Sequence, residues 1–287
     1  MSVYNKKKGA LLLLSSSLCF STMNVFSRLA GDIPAMEKTL FRNVFSVIVI
    51  LVYCLVKKLP VLPRKKALPA HLIRSLFGVL TVIGNYYAMD RMILSDATMI
   101  EELMPFLVIL YSALFLREKA GWKQYGTVLM ALAGAAFVIK PSAAILSQPG
   151  TLAALGVAFG GGLAYFALRW LGREGESGTV VVLFFSVFSV LFCLPPVLMN
   201  PAVLSGTQVL YLIIMSALAC AAQFALTAAY RYAPPSEISI LDYSQILFSA
   251  IYGWLFFGQV SDRWSYLGYV VMITAAVLSF RMKKKEN

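Results

Sequence analysis

Histidine is almost missing from this chain: His71 is the single one among 287 residues. Cysteine is sparse too, and Cys19, Cys54, Cys193 and Cys220 all fall inside apolar runs without metal-ligand spacing. These absences remove zinc sites and a disulfide framework, leaving packing as the role of the cysteines. His71 sits in a basic loop, where a lipid-headgroup position is expected. The H-E-x-x-H, G-x-S-x-G and P-loop patterns are absent as well. Charged residues make up only 13% of the chain, against about 25% in soluble domains. No polar stretch is long enough for a soluble domain, so the chain reads as a non-enzyme with no cofactor and no metal.

What is abundant is apolar surface, with 60% hydrophobic residues and a mean hydropathy of +0.78. Apolar runs of about 20 residues recur from end to end, each able to cross a hydrocarbon core roughly 30 Å thick. The pattern predicts an all-α polytopic membrane protein with ten transmembrane helices. They fall near 9–29, 34–56, 70–89, 94–116, 121–139, 150–170, 178–199, 206–231, 236–257 and 262–281. The net charge of +12 lies in short loops and at the termini, which fits the positive-inside rule better than a nucleic-acid surface. Nineteen of the 25 Lys and Arg residues fall on the side of both termini and six on the other. This places the chain in the cytoplasmic (inner) membrane as a multi-pass protein with cytoplasmic termini, a lipid-bilayer partner and no nucleic acid. Lys6-Lys7-Lys8 before an apolar run mimics a signal peptide, but no small-residue cleavage site follows, so the run reads as a retained first span.

The chain also repeats itself. At an offset of 141 residues, Gly9 matches Gly150, Arg28 matches Arg169, Ala88 matches Ala229, Ser95 matches Ser236, and Glu101 meets Asp242. At 142, Trp122 matches Trp264 and Gly126 matches Gly268. Two units follow, residues 1–141 and 142–287. Each holds five spans, an odd number, so the second enters the membrane inverted. Inverted repeats around a midplane site are a recurrent plan of secondary transporters.

Polar residues inside spans mark the path. Acids in hydrocarbon cost roughly 2.5–3.5 kcal/mol each, so they face a wet cavity or a partner. Glu101 and Asp242 occupy matched places in the two halves. On a continuous helix Glu102 lies about 100° around from Glu101, which directs it to a pair with Arg28, Arg42 or Arg91. Pro105 leaves the carbonyl of Glu101 without its helical donor and kinks that span. Helical stripes add Ser17, Ser21, Asn24 and Arg28 in span 1, then Arg74 and Asn85 beside Tyr86 in span 3. They add Tyr165 and Arg169 in span 6, Gln223 in span 8, and Asp242, Tyr243 and Gln245 in span 9. Spans 1, 3, 4, 6, 8 and 9 therefore line the path, and spans 2, 5, 7 and 10 support it. Stripes of Ser and Gln also glue helices together, and a structural ion pair of Arg42 with Glu101 or Glu102 is the alternative to a substrate role. Gly160-Gly161-Gly162 reads as close helix packing or a hinge. Gly126, Ala133 and Gly134 on span 5 suit packing within the chain or between protomers, so the state is a monomer or a homodimer.

The run LSDATMIEELMPFLVILYSALFLREKAGWKQYGTVLMALAGAAFVI resembles the EamA family of the drug/metabolite transporter superfamily. The features that carry it are Leu94-Ser95-Asp96-Ala97, Pro105, and Leu116-Arg117-Glu118 ahead of Gly126. A second copy runs through Tyr232-Ala233, Ser236 and Phe257-Gly258, with Gln259 where the pattern has Glu and Ile246 in the place of Pro105. The resemblance implies ten helices and alternating access for small metabolites, often as export.

The function expected is secondary active transport of an amino-acid-like, amine, cationic or zwitterionic metabolite, by an exporter or exchanger. Glu101 and Asp242 would bind a substrate amine or a coupling proton. Arg28, Arg42 and Arg169 would meet a carboxylate or gate the path. A membrane-embedded transferase using an Asp/Glu pair and an uncoupled facilitator are the alternatives.

Overall fold

The computed structural model describes residues 5–115, 121–140, 148–233 and 238–286, and within them every regular element is helical. The first half contains α1 (Lys6–Leu29), α2 (Ala35–Lys57), α3 (Leu68–Arg91), α4 (Leu94–Glu101), α5 (Met104–Phe115) and α6 (Trp122–Ile139). The second contains α7 (Pro149–Arg173), α8 (Gly178–Met199), α9 (Gly206–Tyr232), a 3-10 turn (Ser239–Tyr243), α10 (Ser244–Phe257) and α11 (Arg263–Glu286). Residues 116–118 of the first motif copy and Ser236 of the second lie outside the described residues.

Local chemistry explains several boundaries. Asn5 caps α1 by accepting the Lys8 N–H at 3.0 Å. Ser205 and Gln208 form a capping box at the start of α9. Asp262 accepts the Ser265 N–H at 2.9 Å and starts α11. Nine of the spans among the described residues are long and apolar enough to cross a membrane. The tenth, α6, has only 18 residues and carries Lys123 and Gln124 in its first turn.

The packing is a two-repeat arrangement. α1 lies along α9, and α3 lies along α7; α2 packs on α8, and α6 on α11. Exchanging the halves converts the first pair into the second and returns the other two to themselves. α4 and α5 lean on α7, while the 3-10 turn and α10 lean on α1. Close approach decides two of these contacts. A side chain at Gly161 or Gly162 would strike Met104 or Leu107 of α5. Gly134 sits on the backbone of Gly268 within the same chain, whereas Ala133 is exposed.

Large apolar side chains such as Leu55, Val56, Leu114, Leu129, Leu191, Ile251 and Trp254 point outward. Hydrocarbon, unlike water, accepts such a surface without penalty. The interior instead buries small polar side chains, among them Ser16, Ser17, Ser21, Asn24, Thr98 and Ser249.

Candidate functional site

The site forms where two helices break. α4 ends at Glu101 and α5 begins at Met104, so the expected single span is interrupted. Pro105 has no N–H for the Glu101 carbonyl. The chain tightens instead, with Leu103 N–H bonding Ile100 O at 3.1 Å and Phe106 N–H bonding Leu103 O at 3.0 Å. The second half breaks at the matched place without a proline: Asp242 lies in the 3-10 turn that precedes α10.

The break corrects the expectation for Glu102. The 100° offset belongs to a continuous helix, and Glu102 is the residue just past the end of one. Asp242 and Glu101 are its charged neighbours, while Arg28 is held by Met92 O and Arg91 lies over the Tyr87 ring. Glu101 in turn feels Arg42 and Asp242. Three carboxyls from both halves thus share one interior region.

Their surroundings come from five more helices. Ser17 of α1 donates to Asp242 Oδ1 at 3.2 Å. The Tyr86 hydroxyl donates to Met23 Sδ at 3.9 Å with Arg42 alongside, and the Tyr86 side chain is completely buried. Arg74 lies near Tyr165 and Arg42, with its guanidinium 4.6 Å from the centre of the Phe185 ring. Tyr165 senses Arg74 and all three acids while keeping 48% of its surface accessible. Tyr243 is set against Glu102 and Asp242. Several polar atoms here are buried without a hydrogen-bond partner among the described residues: Glu101 Oε2, Arg74 Nε, Ser244 Oγ and both amide atoms of Asn24. Unpaired buried groups are costly, and a polar ligand or water relieves them.

Around this region the halves are stitched by hydroxyls. Ser16 donates to Ala222 O at 2.8 Å, Ser21 to Gln245 O at 3.1 Å, and Thr98 to Ser249 Oγ at 3.0 Å. Gln245 therefore meets α1 through its backbone carbonyl. Asn85 is buried, Gln223 is half-buried, and Arg169 is exposed.

Other charges have structural partners. Arg28 donates to Met92 O at 2.9 Å and lies over the Phe257 ring, which anchors it to the α3–α4 connection. Lys38 is fully buried and pairs with Asp90 at 2.7 Å. Asp96 accepts from Ser261 at 3.1 Å, Ser265 at 3.2 Å and the Tyr269 hydroxyl. Gln259, the departure from the motif, accepts the Leu94 N–H at 3.0 Å through Oε1. A neutral acceptor suffices for one helix-start donor, so glutamate is not required there.

Two residues have partners that the sequence does not show. Arg74 was visible in the span 3 stripe, but nothing in one helix tells that it faces Tyr165. His71 belongs to α3 rather than to a loop and is fully buried; its Nε2 lies 3.3 Å from Glu176 Oε2. A partner 105 residues away leaves no local signal.

A model of the EamA-like transporter family matches residues 7–140 and 148–281, and the chain belongs to that family. The pseudopaline exporter CntI of Pseudomonas aeruginosa (strain PAO1) is 29% identical over 282 residues, covering 97% of this chain and 98% of that one. Solute carrier family 35 member G1 of Mus musculus is 25% identical over 93% of this chain and 76% of its own length. The riboflavin transporter of Vibrio cholerae is 23% identical over 98% and 95%. A solved crystal structure superposes with a TM-score of 0.68 at 18% identity, over 99% of this chain and all of its own, and so shares the fold. The chain is a multi-pass membrane transporter, not an enzyme.

Proposed function

We propose that this transporter is a secondary active exporter or exchanger for a small zwitterionic or cationic metabolite, working by alternating access. One observation carries the reading: Glu101, Glu102 and Asp242 converge from broken helices of both halves, with Arg42 and Arg74 in the same field. Like charges at close range repel, so the acid cluster recruits a cation, either a substrate amine or a coupling proton. The guanidiniums suit a carboxylate on the same substrate. Asn24, Tyr86, Tyr165 and Tyr243 supply neutral polar contacts, with Asn85, Gln223 and Gln245 on adjoining helix faces. The halves 1–141 and 142–287 move as the two modules, Glu101 and Asp242 lying at their junction. The excess of Lys and Arg on the side of the termini supports a cytoplasmic membrane with both termini inside.

Pseudopaline enters as the first substrate to test, because the exporter named for it aligns over nearly all of both chains. Purified protein in proteoliposomes would be offered pseudopaline, riboflavin, amino acids and amines, with and without a pH gradient. Saturable, gradient-driven flux that Glu101→Gln or Asp242→Asn abolishes is the expected result. Flux that ignores the gradient and survives both substitutions would make the acids structural and the protein a facilitator.

A further inference from the structure

Two sets of contacts bridge the halves at opposite ends of the molecule, and they correspond to one another. At one end, Glu37 Oε1 accepts the Ala202 N–H at 2.8 Å, and Gln208 Nε2 donates to the Ala30 carbonyl at 3.1 Å. These bonds join the α1–α2 connection and the first turn of α2 to the α8–α9 connection and the first turn of α9. At the other end, Glu176 Oε2 accepts the Arg64 N–H at 3.1 Å, and the Arg64 guanidinium donates to the Glu174 carbonyl at 3.2 Å. These join the α7–α8 connection to the α2–α3 connection. Exchanging the halves maps one set onto the other.

The correspondence extends to the parts. In each set, a glutamate near the start of the second helix of its half takes an N–H from the opposite half. A long side chain from that opposite half then returns a bond to the carbonyl closing the first helix: Ala30 follows α1, and Glu174 follows α7. Counting spans puts the two sets on opposite membrane faces. Glu37 is buried, yet its Oε2 has no partner among the described residues. A carboxylate half-satisfied by one loop N–H is a weak choice for permanent scaffolding, because burying it is costly. It suits a contact that must release.

We propose that Glu37 and Glu176 are the paired gate latches of the transport cycle, each closing one face by holding a connection of the opposite half. The proposal rests on the alternating-access reading. Both latches are engaged here, so opening toward either side releases one and keeps the other. The Glu176 latch carries two additions, His71 at 3.3 Å and a Lys66–Glu174 pair at 3.5 Å.

The test uses full-length protein in proteoliposomes, with spin-label pairs reporting each face by double electron–electron resonance. Asp32→Cys with Val203→Cys reports the Glu37 face; Leu62→Cys with Gly178→Cys reports the Glu176 face. The four native cysteines are replaced by alanine in both label backgrounds. Glu37→Ala should raise the open-to-closed ratio at its own face roughly tenfold, the scale of one charge-assisted hydrogen bond, and leave the other face closed. Glu176→Ala should do the converse. Glu37→Gln and Glu176→Gln keep an acceptor and should fall between wild type and alanine, which guards against a folding defect in the alanine variants. Unchanged distances in every variant, or both faces opening together, would overturn the proposal. Failure of the underlying transport reading shows separately, as no saturable pseudopaline or amine flux by wild type in the same vesicles.

Discussion

Ser17 of α1 donates to the carboxylate of Asp242 at 3.2 Å, so the first helix of one half orients the acid of the other. Asp242 sits in a 3-10 turn and has no continuous helix to hold its direction. The serine supplies that direction across the junction where the halves would move.

Ser17→Ala should therefore slow transport about fivefold, the equivalent of one neutral hydrogen bond near 1 kcal/mol. Asp242→Asn should remove coupled transport altogether. Initial rates in proteoliposomes distinguish the two, and equal effects would deny Ser17 a purely orienting role.

Pro105→Ala restores an N–H that can reach the Glu101 carbonyl, and α4 and α5 should join into one helix. Glu102 would then swing away from Asp242. The melting temperature in detergent should rise while transport falls at least fivefold. A rise in both would mean that the break is not needed for function.

Lys38→Ala strands Asp90 in a partly buried place. Breaking a buried pair costs about 3–5 kcal/mol, and the partial exposure of Asp90 argues for the low end. Lys38→Ala with Asp90→Ala should recover part of the loss. Thermal unfolding of the single and double variants gives the coupling; additive effects would show that the pair contributes little.

Gly162→Ala brings a Cβ to 2.8 Å from Leu107 Cβ, which cannot swing aside, whereas Gly160→Ala meets nothing closer than 3.5 Å. Overpacking costs about 1–3 kcal/mol, so the first should lower the melting temperature and the second should not. Equal melting temperatures would place the α5–α7 contact elsewhere.

Glu176 lies on a connection outside the spans. Burial pushes its carboxyl up, but bonds from the Arg64 N–H, His71 and the Ser177 N–H outweigh it, and the group ends below the usual 4.5. A lowered carboxyl stabilises the fold above its unfolded value, and that contribution fades as pH falls through the folded value. The melting-temperature advantage of wild type over Glu176→Gln should hold at neutral pH and shrink only below 4.5. An advantage that vanishes near neutrality would assign the effect to another group.

Much of this molecule is legible in one dimension. Apolar runs gave the spans, because length and hydrophobicity are local. The 141-residue offset paired Glu101 with Asp242 because a duplicated half keeps its spacing. The helical stripes set Asn24 and Tyr86 on buried faces, since a period of 3.6 sorts faces without knowing the neighbours.

The remainder is not local. Arg28 looks like a path-facing cation on its stripe, yet Met92 and Phe257, brought to it by packing, claim it. Glu102 looks directed away from Glu101, toward an arginine, only while the helix is assumed continuous. His71, Glu37 and Glu176 find partners more than 100 residues away in the chain.

By itself the sequence determined a ten-span, two-repeat membrane transporter with an acid in each half. The tertiary structure alone decided which charges share an interior and which are tied off at the rims. Hydrophobic partition is read residue by residue, whereas a charge takes its meaning from whichever opposite dipole or charge the folded chain delivers within a few ångström.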